Sequence, residues 1–359
     1  METNIDELLR QAVSQDATDI HLKVGSAPVA RINGEITRLD GFHSLSPEDT
    51  QAFADTLFTP RAAEDFKANG FADFAYGRQD LGRFRVSAFR QRGSVSLVLR
   101  KVVGETKTFA ELGLPKMIEK FAAEKSGLLL VTGPSGSGKT STMSSIIDWI
   151  NSNRGVSILT IEDPIEVLHT DKRSVVVQRE VGVDTADYAQ AIRSAMRHDT
   201  DVIVVSEIED LETARAAIAA SETGHLVVSS MRTTDPADTV HRVLSLFPET
   251  EQGIVRAQLA SQLLGIISQR LLEGQEGNPV LSYEVVNNNE RVQEWILGAK
   301  DSSFLIDIMK ESEFFGMQTF DQSMLKLVVS RVIELPIALP HARNVHELRA
   351  KAMAAGIAI

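Results

Sequence analysis

Hydrophobic and polar positions in the first hundred residues alternate between helical and extended patterns. NIDELLRQAV has apolar residues at helical spacing, and DIHLKVG shortens into the alternation typical of a strand. PVARINGEITRL places Asn33-Gly34 between two extended runs, which predicts a hairpin. Ser46, followed by proline and two acids, predicts a helix start. Because three more strand candidates follow, we expect one antiparallel sheet with two helices; these candidates are FADFAYG, LGRFRVSAF and SVSLVLRKV.

The pattern changes after a loosely patterned segment from about Lys101 to Pro115, which we interpret as a linker. Beyond it, short β-branched runs alternate with helical stretches, which predicts a parallel sheet covered on both faces. The expected strands are GLLLVTG, VSILTIED, SVVVQRE, DVIVVSE and HLVVSSM, and the expected helices are STMSSIIDWINS, TADYAQAIRSAMRHD and DLETARAAIAASETG. From about Asp235 we expect helices almost throughout, with NPVLSYEVV as a single strand or hairpin.

These patterns predict an α/β protein in three parts. Residues 1–100 are expected to form an α+β domain and residues 101–115 a linker. Residues 116–359 are expected to form an α/β domain that ends in a helical extension.

Composition narrows the class of protein. No apolar run approaches the ~20 residues that cross a bilayer, and the N-terminal segment has no apolar signal core. The chain contains no cysteine, which excludes disulfides, thiol nucleophiles and cysteine-ligated zinc. A net charge of −12 argues against nucleic acid as the main substrate. We therefore expect a soluble cytoplasmic protein.

Residues 133–140, GPSGSGKT, fit the phosphate-binding pattern GxxxxGK[ST], with a strand before them and a helix after them. Glycines let backbone N–H groups wrap phosphate oxygens, and the helix N-terminus favours an anion. Lys139 supplies charge to the β- and γ-phosphates, and Thr140 offers its hydroxyl to Mg²⁺. No guanine-reading NKxD-like segment is present, so we expect ATP with Mg²⁺. The predicted nucleotide-binding residues here are Gly133, Pro134, Ser135, Gly136, Ser137, Gly138, Lys139, Thr140 and Ser141, with Thr140 as the metal ligand.

Two acids directly follow apolar strands, where open α/β sheets place their ligands. Glu207 ends DVIVVSE, and Glu162 ends ILTIE. A single acid at such a position is as often a helix cap or a turn residue. Because two of them accompany a phosphate loop, we predict that they are catalytic carboxylates that polarise water. His225 follows a helix-ending glycine, which is more typical of a packed residue at a strand entry than of a phosphate contact.

The stretch from residue 78 to residue 101 is basic in an otherwise acidic chain, with seven arginines and lysines against one acid. Arg83 and Arg85 alternate with Phe84 and Val86, so the two arginines share one face of a strand. That face is either a solvated surface or an anion site. In the second case the arginines would act on nucleotide across a domain or subunit boundary.

Taken together, these segments resemble the type II/IV secretion ATPase superfamily, specifically the PilT/PilU-like type IV pilus retraction ATPases. The resembling blocks run along nearly the whole chain: DIHLKVG, GRFRVSAF, the phosphate loop, LTIEDPIE (the Asp box), QREVGVDT, DVIVVSE (Walker B), ETGHLV (the His box) and GMQTFDQ. The resemblance implies a PAS-like N-terminal domain and a RecA-like ATPase domain with a helical C-terminal extension. It also implies a homohexamer with nucleotide between domains of neighbouring subunits.

The resemblance assigns roles to individual residues. They are Lys139 and Thr140 for phosphate and Mg²⁺, Glu207 as the Walker B glutamate, Glu162 as the Asp-box acid, His225 as a nucleotide-binding His-box histidine, and Arg83 and Arg85 as arginine fingers. Two positions depart from the family pattern. Arg232 stands where the second His-box histidine is usual, and Glu209 replaces a basic residue after the Walker B glutamate. The AIRNLIRE segment is present only as the divergent RVQEWILG.

The implied function is an ATP-hydrolysing hexameric motor that powers type IV pilus retraction and twitching motility. It would lie in the cytoplasm, peripheral to the inner face of the cytoplasmic membrane, without a transmembrane segment. Its implied partners are an inner-membrane pilus platform protein and a paralogous pilus ATPase, and no nucleic acid. The alternatives are an accessory or weakly active regulatory ATPase of a pilus system, and a type II secretion or pilus assembly ATPase. The latter usually carries a long extra N-terminal domain and a four-cysteine zinc module; a DNA-translocating motor is disfavoured by the acidic charge.

Overall fold

The computed structural model describes residues 4–32, 34–78, 81–102, 106–275, 277–298 and 302–357. Asn33 of the expected hairpin and residues 103–105 of the expected linker lie outside these ranges. The chain forms two compact units. The first unit consists of the described residues before Thr106 together with Pro164–Leu168, and the second unit contains Thr106–Asp163 and the chain from His169.

The first unit is a six-stranded antiparallel sheet packed against helices, with strand order β3-β2-β1-β6-β5-β4. Its strands are β1 (Asp19–Leu22), β2 (Val29–Ile32), β3 (Glu35–Arg38), β4 (Phe71–Arg78), β5 (Gly82–Gln91) and β6 (Ser94–Lys101). Its helices are α1 (Ile5–Ser14), α2 (Pro47–Leu57) and α3 (Pro60–Asn69). Buried side chains from the helices and the sheet form one core that includes Leu8, Phe53, Phe84 and Leu97.

Local sequence signals fix the helix ends of this unit. Ser46 and Asp49 form a reciprocal capping box at the start of α2, as the sequence predicts. The prediction of two helices was wrong, because α3 is a third. It has its own signals, a capping Thr59, a first-turn Pro60 and a left-handed Gly70 at its end.

The second unit is a seven-stranded sheet of order β13-β12-β7-β11-β10-β8-β9, parallel except for the β12–β13 pair. Its strands are β7 (Gly127–Thr132), β8 (Ser157–Glu162), β9 (Val175–Glu180), β10 (Val202–Val205), β11 (Leu226–Met231), β12 (Leu263–Glu273) and β13 (Pro279–Asn287). Its helices are α4 (Met117–Ala123), α5 (Lys139–Asn153), α6 (Tyr188–Ala195), α7 (Leu211–Glu222), α8 (Pro236–Ser245), α9 (Glu249–Gln262), α10 (Glu290–Gly298), α11 (Ser302–Glu311), α12 (Phe320–Val329), α13 (Leu335–Ala338) and α14 (Val345–Ala354).

Both faces of this sheet are buried. Along β7, Leu128 and Leu130 belong to one hydrophobic cluster, whereas Leu129 and Val131 belong to another on the opposite face. The C-terminal helices add a separate core that includes Phe320, Met324 and Leu348. The predicted α/β class with a mainly helical C-terminal extension is confirmed. Among the described residues, no helix has both the length and the apolar character needed to cross a bilayer.

Strand β12 corrects the expectation of helices almost throughout after Asp235. It pairs in parallel with β7 and antiparallel with β13, so it lies inside the sheet. Close packing also explains its glycine: a Cβ on Gly265 would lie 2.5 Å from Phe121 Cζ and 2.5 Å from the Val286 carbonyl oxygen.

Candidate active site

The phosphate-type loop connects the fully buried strand β7 to helix α5. Gly133 has φ 146°, and a Cβ there would lie 2.5 Å from both the Gln269 carbonyl oxygen and Ser137 Oγ. Gly138 adopts a left-handed conformation at the start of α5, where no side chain caps the helix. The first backbone N–H groups of α5 therefore remain available to an anion.

Two side chains of the loop are arranged for a ligand. Lys139 Nζ donates to the carbonyl oxygens of Gly133 at 2.9 Å and Pro134 at 3.1 Å, so its charge is held over the loop. Ser137 is only 3% exposed, and its buried Oγ has no hydrogen-bond partner in the part of the chain that the structure describes. A buried hydroxyl without a partner is unfavourable unless a ligand or water satisfies it.

Glu207 lies two residues after the end of β10, at the edge of the sheet from which the loop also emerges. Its position is fixed by its neighbours, since Ser206 N–H donates to the Ile161 carbonyl at 3.0 Å and Ile208 N–H donates to the Ser230 carbonyl at 2.9 Å. Burial raises the pKa of Glu207, while the charges of Arg232 and Lys139 oppose that rise. Glu207 thus lies within electrostatic reach of the loop lysine.

Arg232 forms an ion pair with Glu207. Its Nη2 lies 2.9 Å from Glu207 Oε2 and 3.3 Å from Glu209 Oε1. The two positions that depart from the family pattern, Arg232 and Glu209, are therefore in direct contact with each other. Both side chains are exposed, at 61% and 60%, whereas Glu207 is 17% exposed.

Glu162 is the last residue of β8, the strand next to β10. Its Oε1 accepts hydrogen bonds from Thr160 Oγ1 at 2.6 Å and from Gln178 Nε2 at 3.0 Å. Because β7, β8 and β10 run parallel, the loop, Glu162 and Glu207 all lie at the carboxyl edge of one sheet. Open α/β sheets bind ligands at this edge.

The donors at this edge fit a magnesium ion that arrives with nucleotide. Among the described residues, no cluster of three or more histidine or carboxylate side chains is arranged to hold a metal ion. Mg²⁺ commonly takes few protein ligands and binds through substrate phosphates and water. Thr140 is exposed in the first turn of α5 and supplies a hydroxyl beside Lys139, as such a site requires.

Arg83 and Arg85 lie in the first unit on β5. Their alternation with the fully buried Phe84 and Val86 places both on the opposite face of the strand from that core, as the sequence predicts. Arg85 Nη1 lies 3.7 Å from Oε1 of Glu166, which belongs to the same unit. Glu166 is part of the short segment that follows Glu162 and Asp163 in the chain.

His225 lies away from the loop of its own chain, so its assignment to the nucleotide-binding residues stays a prediction. Leu226, the next residue, pairs with Gly127 at the beginning of β7, whereas the loop follows the end of β7. The length of the strand, roughly 15–20 Å, separates His225 from the loop. His225 Nδ1 instead lies 3.1 Å from the Ala220 carbonyl oxygen, at the end of α7. This is the packed strand-entry position that the sequence favoured over a phosphate contact.

The sequence analysis missed two residues near the site, Tyr188 and Gln269, and it named Arg232 without predicting its contact with Glu207. Arg232 directly follows β11, so the strand-end rule applied to the acids would have identified it. The Tyr188 hydroxyl lies 2.7 Å from Ser206 Oγ beside Glu207, and burial raises the pKa of Tyr188 to about 12. Gln269 on β12 is fully buried and donates to Thr142 Oγ1 at 2.7 Å, while its own Oε1 accepts from none of the described residues. The last two carry no signal in the sequence alone.

Comparison with known proteins identifies the family of this chain. A family profile described as type II/IV secretion system protein matches residues 77–296, more than half of the chain. The type IV pilus retractation ATPase PilT of Pseudomonas aeruginosa is 36% identical over 330 residues, which are 92% of this chain and 95% of PilT. A twitching motility protein of Neisseria gonorrhoeae is 35% identical over 342 residues, which are 95% of this chain and 91% of that protein.

A solved structure gives the same result for the fold. The crystal structure of the pilus retraction motor PilT with bound ADP superposes with a TM-score of 0.88 at 41% identity, covering 97% of this chain and all of that chain. The resemblance to PilT-like proteins inferred from the sequence blocks is confirmed. The chain belongs to the type II/IV secretion system protein family.

Proposed function

We propose that this protein is an ATP-hydrolysing motor that powers retraction of a type IV pilus, and thereby twitching motility. The observation that carries the proposal is the position of the phosphate-type loop, Glu207 and Glu162 at one edge of a parallel sheet. The similarity to PilT and to a twitching motility protein over more than nine-tenths of the chain supports the choice of pilus retraction.

In the proposed reaction, the loop binds the phosphates of ATP and Lys139 neutralises charge on the β- and γ-phosphates. The Thr140 hydroxyl would hold a Mg²⁺ ion that arrives with the nucleotide, and this ion would supply positive charge to the phosphates. Glu207 removes a proton from the attacking water as the new bond to the γ-phosphorus forms. The bond to the β–γ bridging oxygen then breaks, and ADP and phosphate leave. Glu162 is assigned the role of a second carboxylate that orients the water.

The proposed assembly is a homohexamer in which Arg83 and Arg85 act as arginine fingers on a neighbouring subunit's nucleotide. A guanidinium can stabilise charge on the γ-phosphoryl group in the transition state. Residues 1–100 would form the domain that presents these fingers, residues 101–115 the linker, and residues 116–359 the ATPase domain. We further propose that the motor works in the cytoplasm at the inner membrane face. Its partners there are a pilus platform protein and a paralogous pilus ATPase.

The test is ATP hydrolysis by the purified full chain, with oligomer size measured on the same samples by sedimentation. Wild type is expected to form hexamers and release phosphate, whereas Lys139→Ala is expected to lose binding or hydrolysis. A wild-type protein that is a stable monomer with and without ATP, while still fully active, would overturn the hexameric motor.

A second candidate function is an accessory or regulatory pilus ATPase with slow turnover. The observation that favours it is the ion pair between Arg232 and Glu207, which occupies one oxygen of the proposed base. Turnover number separates the two, because typical enzymes complete roughly 1–10³ turnovers per second. A rate far below that range favours the regulatory role.

A further inference from the structure

The contact between Arg232 and Glu207 is set by the register of the sheet. Strands β10 and β11 are parallel neighbours, with Val205 opposite Ser229. Arg232 and Glu207 each follow the end of one of these strands. The Ile208 N–H bond to the Ser230 carbonyl at 2.9 Å holds the two chain segments together beyond the last pair. The two side chains therefore meet because of backbone structure and not through a mobile loop.

The guanidinium of Arg232 engages only one oxygen of Glu207. Its Nε lies 3.1 Å and its Nη2 2.9 Å from Oε2, so two N–H groups donate to the same atom. The other oxygen, Oε1, is buried and accepts no hydrogen bond from any residue that the structure describes. One oxygen is thus fixed by Arg232, and the other is buried with its hydrogen-bonding capacity unused by the described residues.

Glu209 holds the outer side of the same guanidinium, with its Oε1 3.3 Å from Arg232 Nη2. Charged side chains on several elements influence the ionisation of Glu207. Arg232 on the β11 side and Lys139 on α5 favour its ionised form, whereas burial and Glu209 disfavour it. Tyr188 of α6 contacts Ser206 next to it, and Asp163 lies within electrostatic range of Tyr188.

We propose that Arg232 is a positioning residue, which fixes Glu207 through Oε2 so that Oε1 alone receives the proton of the attacking water. Glu209 contributes by anchoring Arg232. The inference rests on the proposed function, in which Glu207 is the general base for ATP hydrolysis.

The experiment measures kcat and KM for ATP from pH 5 to pH 9 on the full chain. The variants are Arg232→Gln, Arg232→Lys, Glu209→Gln, Glu207→Gln and the double variant Arg232→Gln/Glu209→Gln. Arg61→Gln is the matched control, since Arg61 is 64% exposed and pairs with Asp65 in the first unit. Thermal unfolding and binding of a fluorescent ATP analogue are recorded for every variant, so that misfolding is detected separately.

Arg232→Gln is expected to lower kcat roughly tenfold with KM nearly unchanged. The acid limb of its kcat profile is expected to move up by about one pH unit, because the removed cation favoured the ionised carboxylate. Arg232→Lys is expected to shift the acid limb of the kcat profile less, because lysine keeps the positive charge. Lysine does not keep the planar set of N–H donors of the guanidinium. The double variant is expected to lose no more than Arg232→Gln alone, because Glu209 acts through Arg232.

Three results would overturn the inference. They are an unshifted acid limb in a stable, ATP-binding Arg232→Gln protein, a rise in kcat on removing Arg232, and full turnover by Glu207→Gln. A hexameric wild type that binds ATP but hydrolyses none at any pH overturns the proposed function instead. Because the wild-type profile is measured first, the two failures are distinguished in the same experiment.

Discussion

Arg343 Nη2 lies 3.0 Å from Oε2 of Glu284, a carboxylate whose side chain is completely buried. The same nitrogen lies 3.2 Å from Oδ2 of Asp235, the N-cap of α8, and Phe320 N–H donates to the other Glu284 oxygen at 3.3 Å. Burial raises the pKa of Glu284 to about 7, although Arg343 opposes the rise. This cluster connects the segment just before α14 to β13 and α8, so it joins the C-terminal helices to the sheet.

Stability is expected to depend on the protonation of Glu284. Its pKa is higher in the folded protein than in the unfolded chain, so the folded state binds the extra proton between about pH 4.5 and pH 7. The stabilisation of the folded state that comes from this proton is complete below about pH 4.5, and it is lost as pH rises through about 7. In denaturant titrations, Glu284→Gln is expected to remove that pH-dependent loss. Relative to the variant, wild type should lose up to about 3 kcal/mol between pH 4.5 and pH 8.

Glu347→Gln is the control for this prediction. Glu347 is exposed to a third of its area and pairs with Lys351, which lowers its pKa. The stabilisation that Glu347 contributes is therefore lost as pH falls through its lowered pKa. This pH dependence is opposite in direction to that of Glu284. Equal pH dependence of unfolding in wild type and Glu284→Gln would contradict the role given to the buried carboxylate.

Gly133→Ala is expected to abolish nucleotide binding and to destabilise the second unit by about 1–3 kcal/mol. The added methyl group would lie 2.5 Å from the backbone oxygen of Gln269, which cannot move without disturbing β12. Gly136→Ala is the matched control, because its φ is also positive at 79° but its Cβ would meet nothing within 4 Å. Binding of a fluorescent ATP analogue and thermal unfolding compare the two. If the two variants lose binding and stability equally, the cause is the backbone strain of a positive φ and not the clash of the Gly133 Cβ with Gln269.

Arg83→Ala and Arg85→Ala are expected to lower turnover by up to about 10³-fold while ATP binding is retained, because a finger stabilises only the transition state. Mixing either variant with Lys139→Ala subunits should restore part of the activity. A mixed ring can pair an intact loop with an intact finger from the neighbouring subunit. Phosphate release and subunit exchange are measured on the same mixture.

Arg90→Ala is the control for the arginine prediction. Arg90 lies on β5 as well, but on the opposite face from Arg83 and Arg85, where its guanidinium stacks 5.2 Å from the Phe66 ring. It is expected to retain wild-type turnover. If mixed rings form and no activity returns, the two arginines do not act between subunits.

Most of the fold could be predicted because the strands and helices carry strong local patterns. Strand β12 is the exception, since its apolar run Leu263–Ile267 is buried on both faces. A strand without alternation cannot be distinguished from a buried helix by periodicity alone. Gln269 lies on that strand and was missed with it. Only the pairing of β12 with β7 places Gln269 beside α5.

The site was predictable where a motif also fixes geometry. The loop glycines and the strand-end acids depend on backbone conformation and strand direction, which local sequence encodes. The ion pair of Arg232 with Glu207 depends on which strands are neighbours, and sequence order does not reveal this. His225 is the opposite case: a sequence motif groups it with the site residues, whereas in the fold it precedes β11 at the far edge of the sheet from the loop.

The most direct test of the proposed mechanism is ATP binding and phosphate release measured on the same preparations of wild type and Glu207→Gln. Glu212→Gln, an exposed acid of α7 that pairs with Arg193, is the control for loss of a carboxylate. We expect Glu207→Gln to bind ATP within about twofold of wild type and to lose turnover by about 10²-fold or more, as for removal of a general base. Turnover by Glu207→Gln at the wild-type rate would contradict the account and assign the base to Glu162 or another group.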